Sequence, residues 1–175
     1  MAPPRQGERD VTAGYGIGLA TEGDLEGILN LQDRNQLDRG GTLSARFSRA
    51  WFEAAAAAMP VVVVRCEGRV VGYLVSSPVS AYADVPVVQA MLAAYSGMPG
   101  AYVYGPICVE ETERGRGLAG VMFAELRARL PGQEGILFIR RDNAASLKAH
   151  VRMGMREVAG FTHGGAVFAV LSYVG

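Results

Sequence analysis

The chain offers little that would draw it to a membrane, a nucleic acid or an oxidising compartment. Its 17 basic and 17 acidic side chains cancel, and the pI is near 6.7. General attraction to nucleic acid or to an anionic lipid surface is therefore absent, and any anion must be met locally. Cysteine is scarce. Cys66 and Cys108 are the only two, and both lie in apolar strand-like runs, where buried reduced thiols are expected rather than a disulfide. That pattern favours a cytoplasmic setting. The longest apolar run, residues 54–64, is broken by Pro60 and far too short to span a bilayer. Residues 1–14 hold Pro3, Pro4 and several charges but no apolar stretch of the kind a secretory signal needs, and are expected to form a mobile lead-in.

Two phosphate-loop signatures are missing as well. No Lys-Ser or Lys-Thr follows Gly117, which excludes a nucleoside triphosphate loop, and residues 114–119 lack the three-glycine spacing of a dinucleotide fingerprint. No internal repeat or low-complexity tract divides the chain. Residues 15–175 therefore read as one domain, large enough to bury about two-thirds of its unfolded surface. No metal is expected.

What is present is an alternation of short strand and helix patterns. Residues 15–20 form a strand candidate, and Thr21 can cap a helix with Glu22, Asp24 and Glu26 in its first turn and Leu25, Ile28 and Leu29 on its buried face. Leu43, Phe47 and Trp51 fall four apart and predict a second helix ending near Pro60. Residues 61–66 and 70–75 flank Glu67-Gly68, the pattern of an antiparallel hairpin. A loop is expected over 76–86 and a short helix over 87–95. Residues 101–109 form a strand interrupted by Gly105-Pro106, where a bulge or a local loss of pairing is expected. Leu118, Met122, Leu126 and Leu130 share one stripe of the next helix. A buried strand over 136–139 follows, then a helix with Asn143 as N-cap and Leu147 and Val151 facing inward. Residues 157–161 and 166–173 close the chain as a hairpin around Gly164-Gly165.

Between the strand at 101–109 and the helix at 118–130 lies Arg114-Gly115-Arg116-Gly117-Leu118-Ala119. Two glycines let the backbone turn sharply, the free N–H groups opening a helix point outward with the positive end of its dipole, and two arginines add permanent charge. The arrangement suits a bound pyrophosphate, although a solvated connector would carry the same residues.

The run Arg114-x-x-Gly117-x-Ala119 after a strand ending at Val109 resembles the pyrophosphate-binding motif of the GCN5-related N-acetyltransferases (GNAT). A second block agrees: a strand over 136–139, then Asn143, Ser146, His150 and Gly154-Met155, with Met155 where Phe is usual. The resemblance implies an α+β fold, with a mixed, mostly antiparallel sheet of about seven strands, helices on both faces, and fourth and fifth strands splayed apart. It further implies acetyl-CoA as cosubstrate. Cys108 and the Val109 backbone would lie against the pantetheine and acyl region, Arg114, Gly115, Arg116, Gly117, Leu118 and Ala119 against the pyrophosphate, and Asn143 and Ser146 along the far wall. Asn143 could equally be a plain helix cap, and Ser146 a solvated helix residue.

The implied reaction is direct acetyl transfer to a primary amine of a small molecule or peptide, by a monomer or homodimer without nucleic acid or membrane partners. The alternative is a catalytically silent CoA-binding or sensor module. An amine resembling lysine has a pKa about 3.4 units above pH 7, so reaching its neutral form costs about 4.6 kcal/mol. Glu110, Glu111, Tyr104 and bound water are candidate bases, and none is marked out. His150 stands where many members of the family carry a tyrosine proton donor, and is the candidate general acid or a space-filler beside the cofactor. The acceptor is expected near residues 30–42, which hold Asp33, Arg34, Asn35, Asp38 and Arg39.

Overall fold

A computed structural model of the chain describes residues 14–43 and 45–175. The expected lead-in, apart from Gly14, lies outside the described residues. Seven strands form one sheet: β1 (Tyr15–Leu19), β2 (Val61–Cys66), β3 (Arg69–Pro78), β4 (Tyr102–Val109), β5 (Glu134–Arg140), β6 (Arg156–His163) and β7 (Ala166–Val174). Their order across the sheet is β1-β2-β3-β4-β5-β7-β6. Every neighbouring pair is antiparallel except β4 and β5, which run parallel. The hairpin turns have the composition their geometry requires. Glu67-Gly68 and Gly164-Gly165 both take positive φ at two successive positions, which matches the twist of the flanking strands.

The middle of the sheet is buried on both faces, which is why β2 reads as an unbroken valine run rather than an alternation. Val62 and Val64 face the helix α4 (Leu118–Arg129), whose Leu118, Met122 and Leu126 fill the same core with Tyr102 and Tyr104. Leu147 of α5 (Ala144–Arg152) packs against that core. Val61 and Val63 face the opposite way, towards α1 (Leu25–Arg34) and α2 (Arg49–Ala58). A third cluster on that side joins Val88 and Met91 of α3 (Pro86–Ala94) to Val103 and Ile136.

Three sequence expectations are corrected. The second helix starts at Arg49, because the Ser48 hydroxyl accepts from Trp51 N and caps it there. Leu43 and Phe47 lie before it, although Phe47 still stacks on Trp51 at 3.9 Å. Val151 points to solvent, and His150 takes the buried position on α5 instead. Residues 76–86 are not a plain loop: β3 continues to Pro78 and a 3₁₀ turn follows at Val79–Tyr82.

One buried ion pair ties β2 to the start of α1. The Asp24 carboxylate accepts from Thr21 N at 2.7 Å and from Arg65 Nε at 2.7 Å. The Arg65 guanidinium, ahead of the Thr21 donors, holds the carboxyl at about 2, below its ordinary 3.8. A depressed carboxyl stabilises the fold above its unfolded pKa and loses that effect as pH falls through the folded one. Asp24→Asn is therefore expected to cost on the order of 1–2 kcal/mol at neutral pH. The gap in melting temperature between wild type and variant should close as pH falls from about 4 towards 2. A gap that stays constant with pH would show that the charge contributes nothing.

Candidate functional site

The β4–β5 ladder holds only two pairs, Tyr102 with Gly135 and Val103 with Ile136. Beyond Val103 the strands separate. The cause lies in β4: pairing with β3 shifts by one residue between Leu74–Ile107 and Ser76–Tyr104, so β4 carries an extra residue at Gly105-Pro106. A bulge bends its strand, and here β4 leaves β5, whose other edge stays fully paired with β7. The splay expected from the sequence is present, with its cause at the dipeptide that suggested it.

The opening is a cavity of about 290 Å³ lined from both faces of the sheet. From one side come Tyr104 of β4 and Asn143, Ser146 and His150 of α5 and its cap; from the other come Phe47, Tyr82, Val85 and Val88. No pattern along the chain points to this second wall. Tyr82 sits in the segment expected to be a loop, where its hydroxyl donates to Gly105 O at 3.3 Å.

His150 is 4% exposed. Its Nδ1 lies 2.8 Å from Ser146 O, and because a carbonyl only accepts, Nδ1 carries the proton. Nε2 is buried without a partner, and burial lowers the imidazole pKa below its ordinary 6.5. The resting ring is therefore neutral at pH 7, with a bare acceptor lone pair at Nε2. Tyr104 packs edge-on to it at 5.6 Å between ring centroids, and the Tyr104 hydroxyl is also buried and unpartnered. Burial pushes that phenol far above its ordinary value, so it stays protonated. Asn143 Oδ1 accepts from Ser146 N at 3.1 Å, so Asn143 caps α5 while also lining the cavity.

The basic loop lies past the end of β4. Gly115 and Gly117 both adopt left-handed backbone, which residues with a Cβ rarely accept. Val121 is the first residue of the helix whose N–H bonds back, to Gly117 O at 3.1 Å. The six preceding N–H groups, residues 115–120, have no acceptor among the described residues. That is a ready seat for an anion at the positive end of α4. The arginines are partly engaged elsewhere. Arg114 reaches Asn35 Oδ1 at 2.5 Å and Val109 O at 3.2 Å, while Arg116 lies 3.4 Å from Glu113.

The other sequence candidates fall away from the cavity. Cys108 is buried beneath α1 and α2, and burial pushes its thiol up to about 12, so only its backbone could face a ligand. Glu110 is held by Arg69 at 2.6 Å and Arg34 at 3.2 Å, and Glu111 sits exposed in a 3₁₀ turn. Within the charged segment, Asp33 pairs with Arg39 and Arg46, each at 2.8 Å. Only Thr42 of residues 30–42 lines the cavity. Asn30, Asp33 and Arg34 instead line a separate pocket of about 270 Å³ with Gly27, Arg69 and Val70.

The chain is similar in fold to several solved structures. An N-acetyltransferase from Staphylococcus aureus Mu50 aligns at 20% identity over 91% of this chain and 98% of that one, with a TM-score of 0.66. The protein yncA from Salmonella typhimurium, solved with its cofactor acetyl-CoA, aligns at 18% over 92% and 94% with a TM-score of 0.67. A GNAT superfamily phosphinothricin acetyltransferase from Sinorhizobium meliloti, in complex with AcCoA, aligns at 18% over 92% and 88%, also at 0.67. No curated protein matches the sequence. A sequence model of the Acetyltransferase (GNAT) family matches residues 25–155, a span that runs from the start of α1, across the splayed strands and the amide-lined loop, to Met155 after α5. With the fold, the splay and the matched sequence in agreement, the chain belongs to the GNAT family of acetyltransferases.

Proposed function

We propose that this protein transfers an acetyl group from acetyl-CoA to a primary amine by direct attack, through one domain over residues 15–175. The observation that carries the reading is a buried, unpartnered Nε2 of His150 in a gap between β4 and β5. With it goes a run of unpaired backbone N–H groups at the head of α4, in the loop that follows β4. The residues suit the cosubstrate. The N–H groups of residues 115–120 would hold its diphosphate, the unpaired edge of β4 around Cys108 and Val109 its amide arm, and Asn143 and Ser146 the far wall. Bound acetyl-CoA would supply an acyl group on a good leaving thiol. His150 would hold the proton that must reach the departing sulfur. Because the resting imidazole is neutral, it has to collect that proton before it can act as the general acid. Cys108, held as a thiol by burial, is not available as a nucleophile, which favours direct attack over an acylated enzyme.

The lining contains no carboxylate among the described residues, a feature that also suits a silent CoA-binding module of the same fold. Thiol release with acetyl-CoA over a panel of polyamines, amino acids, aminoglycosides, aromatic amines and peptide N-termini separates the two. Release with any amine supports transfer. Thermal stabilisation by acetyl-CoA without release supports the silent module, and no stabilisation sinks both.

Replacing both Arg114 and Arg116 with Ala is expected to weaken coenzyme A binding by only about tenfold, since the backbone amides carry most of the seat. The dependence of affinity on salt should become shallower. Titration calorimetry across a range of NaCl concentrations checks both. An unchanged affinity and salt slope would remove the side chains from the argument.

A further inference from the structure

We infer that the acceptor is a small aromatic amine whose nitrogen is uncharged at neutral pH; this rests on the acetyl-transfer reading of the same gap. The wall of the cavity opposite α5 is apolar and aromatic. Phe47, Tyr82, Val85, Val87 and Val88 supply it, and Phe47 is stacked on Trp51, itself 6.0 Å from Tyr82. Such a surface takes up a ring through burial and edge-to-face contact. At about 290 Å³ the cavity is at the low end for small-molecule sites, and the part along β4, Asn143 and Ser146 is the part proposed for the cofactor, so the space left for an acceptor is small.

No carboxylate among the described residues lines the cavity to pair with an ammonium group. Among the described lining residues there is no aspartate, glutamate or lysine, and the charged residue present, Arg140, has its guanidinium on Asp142 at 3.1 and 2.5 Å. Burying an unpaired cation in such surroundings is costly. An amine resembling lysine is neutral in only roughly one molecule in 2,500 at pH 7. An amine bonded directly to an aromatic ring shares its lone pair with the ring and is neutral already.

Proton balance points the same way. The lone pair of a neutral amine forms the N–C bond to the acetyl carbonyl carbon, and the C–S bond breaks with its electron pair going to sulfur. One N–H proton then passes to Nε2 of His150 and on to the sulfur. The products are an amide and a thiol, with no proton left over, and one neutral imidazole with one bare nitrogen suffices. A protonated amine would first have to lose a second proton, for which the cavity holds no other acceptor among its described side chains.

The test is thiol release with acetyl-CoA at pH 7 to 9 against p-toluidine, phenethylamine, spermidine and a lysine peptide, with melting temperature in coenzyme A as a parallel readout. At pH 7, kcat/KM for p-toluidine is expected to exceed that for spermidine and the lysine peptide by about 100-fold or more. It should be nearly flat with pH, while the value for phenethylamine rises towards tenfold per unit. Spermidine or the lysine peptide acetylated as well as p-toluidine overturns this inference and leaves acetyl transfer standing. Absence of thiol release from every amine, with or without stabilisation by coenzyme A, overturns the transfer reading itself. A Val87→Asp variant adds the missing carboxylate in the first turn of α3, where an acid suits the helix. It is expected to raise the ratio of phenethylamine to p-toluidine activity about tenfold, and an unaltered ratio in a folded variant counts against the inference.

Discussion

Gly120→Glu is expected to make the free protein more stable and to abolish its stabilisation by coenzyme A. Gly120 is the third residue of α4, and a Cβ built there meets nothing within 4 Å. A side chain therefore fits without strain. Removing a helical glycine gains close to 1 kcal/mol, and a carboxylate in the first turn adds a few tenths more through the helix dipole. Together these raise the melting temperature of the free protein by about 3–6 °C. The same carboxylate would stand over the unpaired amides that are proposed to seat the diphosphate. At about 5 Å and an effective dielectric constant near 20, each like-charge pair costs on the order of 3 kcal/mol, more than a hundredfold in affinity. Gly120→Ala should share the gain in stability and keep the cofactor, and Gly120→Gln should lie close to it. Calorimetric titration of the three variants decides the matter. If the glutamate variant binds coenzyme A within a few-fold of wild type, the anion is seated elsewhere.

His150→Phe should lower kcat by about 10²–10⁴ while coenzyme A affinity stays within a few-fold. Phenylalanine keeps the edge-on packing against Tyr104 and removes both ring nitrogens, so the variant isolates the proton function from space-filling. The sign of the pH dependence follows from the tautomer. With Nδ1–H fixed on Ser146 O and burial lowering the pKa below 6.5, protonation at Nε2 removes the acceptor. Activity that needs a bare Nε2 therefore rises with pH through a value below 6.5 and is flat above it. A resting imidazolium donor would give the reverse, with activity lost as pH rises through that same value. Turnover rates over pH 5 to 8, with an acceptor that does not itself titrate there, distinguish these. Unchanged turnover in the phenylalanine variant would leave His150 as packing.

Elements fixed by local chemistry are legible in the sequence. The stripe of Leu118, Met122 and Leu126 on α4, with Leu130 just past its end, is buried as its spacing requires, and the hairpins turn at Glu67-Gly68 and Gly164-Gly165, all at positive φ. Gly105-Pro106 gave the position of the bulge because a missing donor and a relaxed backbone are properties of the dipeptide itself. Residues 43–51 show the converse: a four-residue spacing is visible, but the Ser48 cap starts the helix only at Arg49. From Leu147, which packs inward, both the four-residue step to Val151 and the three-residue step to His150 fit a helix. Only the orientation of α5 against Tyr104 selects His150.

By itself the sequence determined the run of unpaired amides at residues 115–120, since it follows from two glycines and a helix start, all within one stretch of chain. The tertiary structure alone decided what lines the gap between β4 and β5. Phe47, Tyr82, Val88 and His150 come from four separate stretches and converge only because β4 leaves β5 and opens the sheet to both of its faces. The charged residues that looked available, Asp33, Arg34 and Glu110, are consumed in ion pairs with partners distant in sequence. Whether a charge is free or neutralised depends on distance in space, which no pattern along the chain encodes.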